Sequence, residues 1–137
     1  MKILFLIPFL FITTILSAQW VQEGIDIDGE AANDRSGFAI DMSDSLTIAI
    51  GAQSNDGSGN DAGHVRVYQW NGSSWLQKGG DIDGEAADDQ SGFSVAMPDS
   101  NTVGIGARLN DGGGINSGHV RVYSWNGSAW IQKGTDL

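Results

Sequence analysis

Trp20, Trp75 and Trp130 stand 55 residues apart, and nearly every other distinctive residue keeps that spacing. Residues 20–74 align with 75–129 without a gap and match at 35 of 55 positions. The heptad Asp-Ile-Asp-Gly-Glu-Ala-Ala at 26–32 returns at 81–87, and Ser36-Gly37-Phe38 returns as Ser91-Gly92-Phe93. Ile50-Gly51-Ala52 returns as Ile105-Gly106-Ala107, and the run Gly63 to Tyr68 as Gly118 to Tyr123. A third copy opens at Trp130 and continues to Leu137. A repeat of this length implies units that cannot seal their own apolar faces and must bury them on neighbours. The organisation read from the sequence is a leader at 1–18, a first unit at 19–74, a second at 75–129 and the start of a third at 130–137.

Within a unit the apolar period is two, not 3.6. Phe38, Ile40 and Met42 alternate with smaller or polar residues, as do Leu46, Ile48 and Ile50, and then Val65 and Val67. This pattern predicts four strands per unit, near 37–42, 46–51, 64–70 and 74–78 in the first. Ser43-Asp44-Ser45 reads as a tight turn. Asn71-Gly72 reads as a two-residue type I′ hairpin turn, whose central residues both need positive φ. Longer connections fall at 52–63 and 79–91, and no segment has a helical period. Four short antiparallel strands per repeat, joined by Gly-rich loops, is the pattern of a β-propeller blade. The fold class expected is therefore all-β, with about two blades plus a stub and an incomplete ring.

Asp34-Arg35-Ser36-Gly37-Phe38, a second strand ending Ile50-Gly51-Ala52, the loop Asn55-Asp56-Gly57-Ser58-Gly59-Asn60 and the strand Gly63 to Tyr68 together resemble the FG-GAP repeat. The similarity covers residues 20–137. It implies integrin-α-like propeller blades of the kind also found in secreted bacterial proteins, with binding on the loop rim. The Phe-Gly pair appears here as Gly-Phe, and Gln53 or Arg108 stands where the family tripeptide has proline. The family's calcium loop between the first two strands has no room here, because only Ser43 to Ser45, or Pro98 to Asn101, fills that space.

Seven such units would need roughly 385 residues by this repeat length, against 137 in this chain. The stop at Asp136-Leu137, just inside a third Asp-Ile-Asp-Gly motif, predicts a fragment of a longer chain. The alternative expectation is self-assembly, with the second blade of one copy on the first blade of the next. Met1-Lys2, an apolar run from Ile3 to Leu16 and Ser17-Ala18 read as a secretory signal peptide. The run is too short to span a bilayer as a helix. A secreted or cell-surface protein is the expectation, with no membrane span after cleavage.

The formal charge is −10, with 17 acidic against 7 basic residues, which argues against nucleic acid as a partner. There is no cysteine, so disulfides, thiolate metal sites and cysteine nucleophiles are excluded. In an up-and-down blade both long connections share one rim. That rim would gather Asp26, Asp28, Glu30, Asp34, Asp56 and Asp61, then Asp81, Asp83, Glu85, Asp88, Asp89 and Asp111.

Asp26, Asp28, Glu30 and Asp34 occupy relative positions 1, 3, 5 and 9, and Asp81, Asp83, Glu85 and Asp89 repeat the series. Alternating oxygen ligands in a short loop suit calcium, a hard cation that takes six to eight oxygens. Against this, the glycine falls at position 4 and no glutamate follows at 12. Asx-turns and loop caps explain the same residues. Calcium is thus a candidate at these eight residues, with Asp56, Asp61 and Asp111 as further rim residues for a ligand.

His64 and His119 each open a third strand, with Arg66 or Arg121 two residues on, hence on the same face. A histidine recurring once per blade reads as a hydrogen-bonded structural residue, and the arginines as partners of loop carboxylates. No nucleophile sits in an elbow-like turn, so no catalysis is expected. Trp70, Trp75, Trp125 and Trp130 flank the Asn-Gly turns, where cross-strand packing or stacking on a sugar would both use them. Asn71-Gly-Ser and Asn126-Gly-Ser are formal glycosylation sequons that fit equally as turns. The function expected is a non-catalytic interaction or adhesion module contacting an extracellular protein or glycan. The alternatives are an accessory segment of a longer secreted hydrolase, or an envelope scaffold without a dedicated ligand.

Overall fold

The alternating strands of the repeat form two four-stranded antiparallel sheets of blade type that do not close a ring. The structure, a computed structural model, describes residues 19–137; the signal peptide read at 1–18 lies outside the described residues. The first sheet contains β1 (Ser36–Asp44), β2 (Thr47–Ala52), β3 (His64–Trp70) and β4 (Trp75–Gln77) in chain order. A two-residue strand β5 (Ile82–Asp83) rejoins the edge by pairing with His64 and Val65. The second sheet repeats the plan with β6 (Ser91–Asp99), β7 (Thr102–Ala107), β8 (His119–Trp125) and β9 (Trp130–Gln132). The sheets run from 36 to 77 and from 91 to 132, with Trp75 in the last strand of the first sheet, where the sequence places a strand at 74–78.

Two turns differ from the sequence reading. β1 extends to Asp44, so the first turn is Ser45-Leu46, with Asp44 Oδ1 accepting the Leu46 N–H at 2.8 Å. The Asn71-Gly72 connection is a four-residue loop, not a type I′ turn: Trp70 pairs with Trp75, and Gly72 has positive φ whereas Asn71 does not. The Asn71 side chain explains it. Its Oδ1 accepts the backbone N–H groups of Ser73 and Ser74, both at 2.9 Å, and so caps the wider loop from within.

Period two gives each sheet two apolar faces, and only one of each is sealed. Ala49, Val65 and Val67 of the first sheet meet Met97, Val103, Ile105 and Tyr123 of the second, with Ile82 from the connection closing the core. The opposite face of the first sheet carries Ile40 and Met42, both exposed, while half-exposed Phe38 sets its ring 5.1 Å from that of Phe93 in the second sheet. The far face of the second sheet exposes Val120 and Ile131. Equivalent positions therefore have opposite fates: Met97 is 2% exposed and Met42 47%; Val65 is 0% exposed and Val120 41%.

Glycine sets how closely the sheets approach. A Cβ on Gly51 would run into the Gly92 carbonyl, and one on Gly63 into the Ser91 carbonyl. Gly37, the first-unit counterpart of Gly92, meets nothing. The Ser-Gly-Phe and Ile-Gly-Ala motifs are thus the two halves of one blade-to-blade contact, made once inside this chain.

Candidate binding rim and histidine–carboxylate clusters

Antiparallel connectivity carries residues 53–63 and 78–90 to the same end of the sheets, where hydrogen bonds lock them together. Ser91 N–H donates to the Ala62 carbonyl at 2.8 Å, Gly84 N–H to Gly63 at 2.7 Å, and Asp88 N–H to Asn60 at 2.8 Å. Ser58 Oγ donates to the Gly84 carbonyl at 3.0 Å. The other end holds the short turns, where Asp44 and Asp99 each cap a backbone N–H at 2.8 Å. Apart from those two, and Asp41 within β1, the acidic side chains of the two units lie in or beside the long connections.

The carboxylates of one loop have separate tasks. Asp34 is buried, and its Oδ2 accepts from Asn55 Nδ2 at 2.9 Å and Ala31 N–H at 3.0 Å. Asp89 does the same with Asn110 at 2.8 Å and Ala86 at 3.1 Å. Asp56 Oδ1 accepts the Asp61 N–H at 2.8 Å, and Asp111 Oδ1 the Asn116 N–H at 2.6 Å, so both shape their own loops. Asp26 takes Gln22 Nε2 at 2.8 Å. Asp28 and Asp83 offer main-chain carbonyls, which accept Arg66 and Arg121 Nη2 at 2.7 Å. The groups brought together are not the four successive acids of one loop.

They are Glu30, His64 and Asp81, repeated as Glu85, His119 and Asp136. The connection entering each blade crosses the start of that blade's third strand and brings the glutamate; the strand supplies the histidine; the connection leaving brings the aspartate. Glu30 Oε2 lies 3.8 Å and Asp81 Oδ2 3.9 Å from His64 Nδ1. In the second cluster both distances are 3.7 Å. The remaining oxygens are occupied elsewhere. Glu30 Oε1 faces Arg66 Nη1 at 3.7 Å and Glu85 Oε1 faces Arg121 at 3.5 Å. Asp81 Oδ1 accepts Gln77 Nε2 at 2.6 Å and Asp136 Oδ1 accepts Gln132 Nε2 at 2.8 Å.

The histidines are not hydrogen-bonded as the sequence suggested. His64 is 1% exposed and neither ring nitrogen has a hydrogen-bond partner; His119 Nε2 is likewise buried and unpartnered. Burial holds the His64 imidazole below its ordinary range. Asp81 and Glu30 pull it upward, Arg66 lowers it and Asp83 raises it, yet desolvation prevails.

At the opposite end the tryptophans pack on one another. Trp70 and Trp75 rings lie 5.4 Å apart, and Trp125 and Trp130 5.5 Å. Trp130 Nε1 also donates to the Lys78 carbonyl at 2.7 Å, tying the second sheet to the connection from the first. Among the described residues, no helix is long and apolar enough to cross a membrane.

Asp81 as a partner of His64 escaped the sequence reading because it belongs to the following repeat. The connection after β4 pairs back onto the start of β3 with His64 opposite Asp83, which leaves Asp81, two residues earlier, beside the imidazole. Comparison with models of protein families and with curated proteins gives no match for this chain.

Proposed function

We infer that the chain is a non-catalytic interaction module, part of a secreted or cell-surface β-propeller of FG-GAP type, whose acidic rim contacts an extracellular protein or glycan. The observation that carries this reading is the gathering of the long, interlocked loops and their carboxylates at one end of both sheets. Such loops, hydrogen-bonded to one another and held by the sheets, are the usual setting for recognition. Its charge favours cationic partner groups, or calcium bridging exposed carboxylates such as Asp28 and Asp83 to acidic or hydroxylated ligands. The two open sheet faces receive further blades of the same kind, from a longer chain or from another copy. Met42 and Val120 on these faces are the repeat counterparts of Met97 and Val65, which are buried between the two sheets.

The test is binding to a glycan array and to immobilised extracellular-matrix proteins, with and without calcium. The variant is Asp28→Asn/Asp83→Asn/Asp88→Asn, three exposed rim positions. Loss of binding with an unchanged β-sheet circular dichroism spectrum supports the reading. Equal binding by the triple variant overturns it.

A further inference from the structure

We propose that Glu30, His64 and Asp81 form a binding site for a first-row transition-metal dication of the zinc type, repeated at Glu85, His119 and Asp136. Two carboxylate oxygens converge on one buried imidazole nitrogen, and neither is close enough to the nitrogen to hydrogen-bond with it. A proton on Nδ1 could serve only one carboxylate, and at 3.8 or 3.9 Å it bonds well to neither. A cation between the three groups satisfies all of them at once.

The spacing fits such an ion. Ligands around tetrahedral zinc at ~2.0–2.1 Å lie roughly 3.4 Å apart, so each carboxylate oxygen must close on the nitrogen by about 0.4–0.5 Å, within a cluster whose three ligand atoms all lie within 4.8 Å of one another. Both acids belong to half-exposed side chains that can make that move. Their inner oxygens are already aimed. Arg66 holds the far oxygen of Glu30, and Gln77 the far oxygen of Asp81, as outer-sphere partners orient metal-bound carboxylates. Arg121 and Gln132 do the same in the second cluster. An imidazole nitrogen with two carboxylates selects zinc or its neighbours over calcium or magnesium, which seek oxygen alone and more of it. The side away from the histidine faces solvent, leaving a coordination position for water or for a ligand atom from a partner. The site does not depend on the rim's partner and stands or falls separately from the proposed function.

The test is calorimetric titration of the chelator-treated full chain with zinc, alongside cobalt titration read by visible absorption. Two equivalents are expected, with a cobalt spectrum of low-symmetry, nitrogen-containing coordination. Glu30→Gln should remove or weaken one equivalent by about tenfold or more, and Glu30→Gln/Glu85→Gln both. These glutamates are exposed, so the variants should keep the circular dichroism of the parent. His64→Gln should act like Glu30→Gln, and calcium in excess should not displace zinc. The proposal is overturned if the folded chain binds no zinc, if the double glutamate variant binds as the parent does, or if calcium in excess displaces zinc.

Discussion

The Gly92 carbonyl occupies the space that a Cβ on Gly51 would take. This contact joins the first residues of one sheet's inner strand to the end of the neighbouring sheet's second strand. Gly51→Ala should therefore force the sheets apart and cost several kcal/mol, on the order of the most damaging substitutions. Gly106→Ala, at the same repeat position, would meet only the Ser94 hydroxyl, which can rotate away. Its cost should be about 1 kcal/mol or less. Urea unfolding of both variants measures the difference, and similar losses would contradict the assigned packing.

The same asymmetry applies to Met97 and Met42. Met97→Ala opens a cavity between the sheets and should destabilise by about 2–5 kcal/mol. Met42→Ala acts on an exposed face and should change stability by less than about 1 kcal/mol. If further blades cover that face in the working assembly, Met42→Ala should instead weaken assembly, seen as a shift to smaller species in sedimentation.

Asp34 links the connection before β1 to the loop after β2. Asp34→Ala leaves the buried Asn55 amide with only its longer bond to Glu30 Oε2, at 3.4 Å, and strands the Ala31 N–H, at a cost of about 1–3 kcal/mol. Thermal melts in chelator and in calcium separate this role from ion binding. Equal destabilisation in both conditions is expected, because the carboxylate acts through hydrogen bonds.

The depressed His64 pKa has a definite sign. The unfolded chain takes up a proton near pH 6.5 while the folded chain resists it, so stability is full above that pH and falls as pH drops through the folded value. Unfolding midpoints measured without metal between about pH 7.5 and 5.5, above the range where most carboxylates titrate, should decline. The decline should be smaller in His64→Gln. An identical slope in that variant would contradict burial as the dominant influence on this histidine.

The sheets were legible because period-two alternation survives in each unit, and the predicted strand at 64–70 coincides with β3. The common rim followed from alternating connections alone. What escaped was side-chain commitment. Asp26, Asp28, Glu30 and Asp34 look equivalent in a linear series, yet one caps a loop, one offers a carbonyl and one turns to a histidine. Which of these each does depends on β3 and on the next repeat, and the spacing within one loop carries no trace of either. The type I′ assignment at Asn71-Gly72 failed for a related reason, since an asparagine side chain that caps three residues ahead can support a wider loop than its dipeptide suggests.

The arrangement from which the proposed function starts is the locked pair of connections at the acidic end, and amide hydrogen exchange tests it most directly. The Ser91 and Gly84 amides, bonded across the two loops to Ala62 and Gly63, should exchange as slowly as those of β3 and β7, at the rate set by global unfolding. Exchange of these two amides at the rate of open loops, while the strands stay protected, would contradict it.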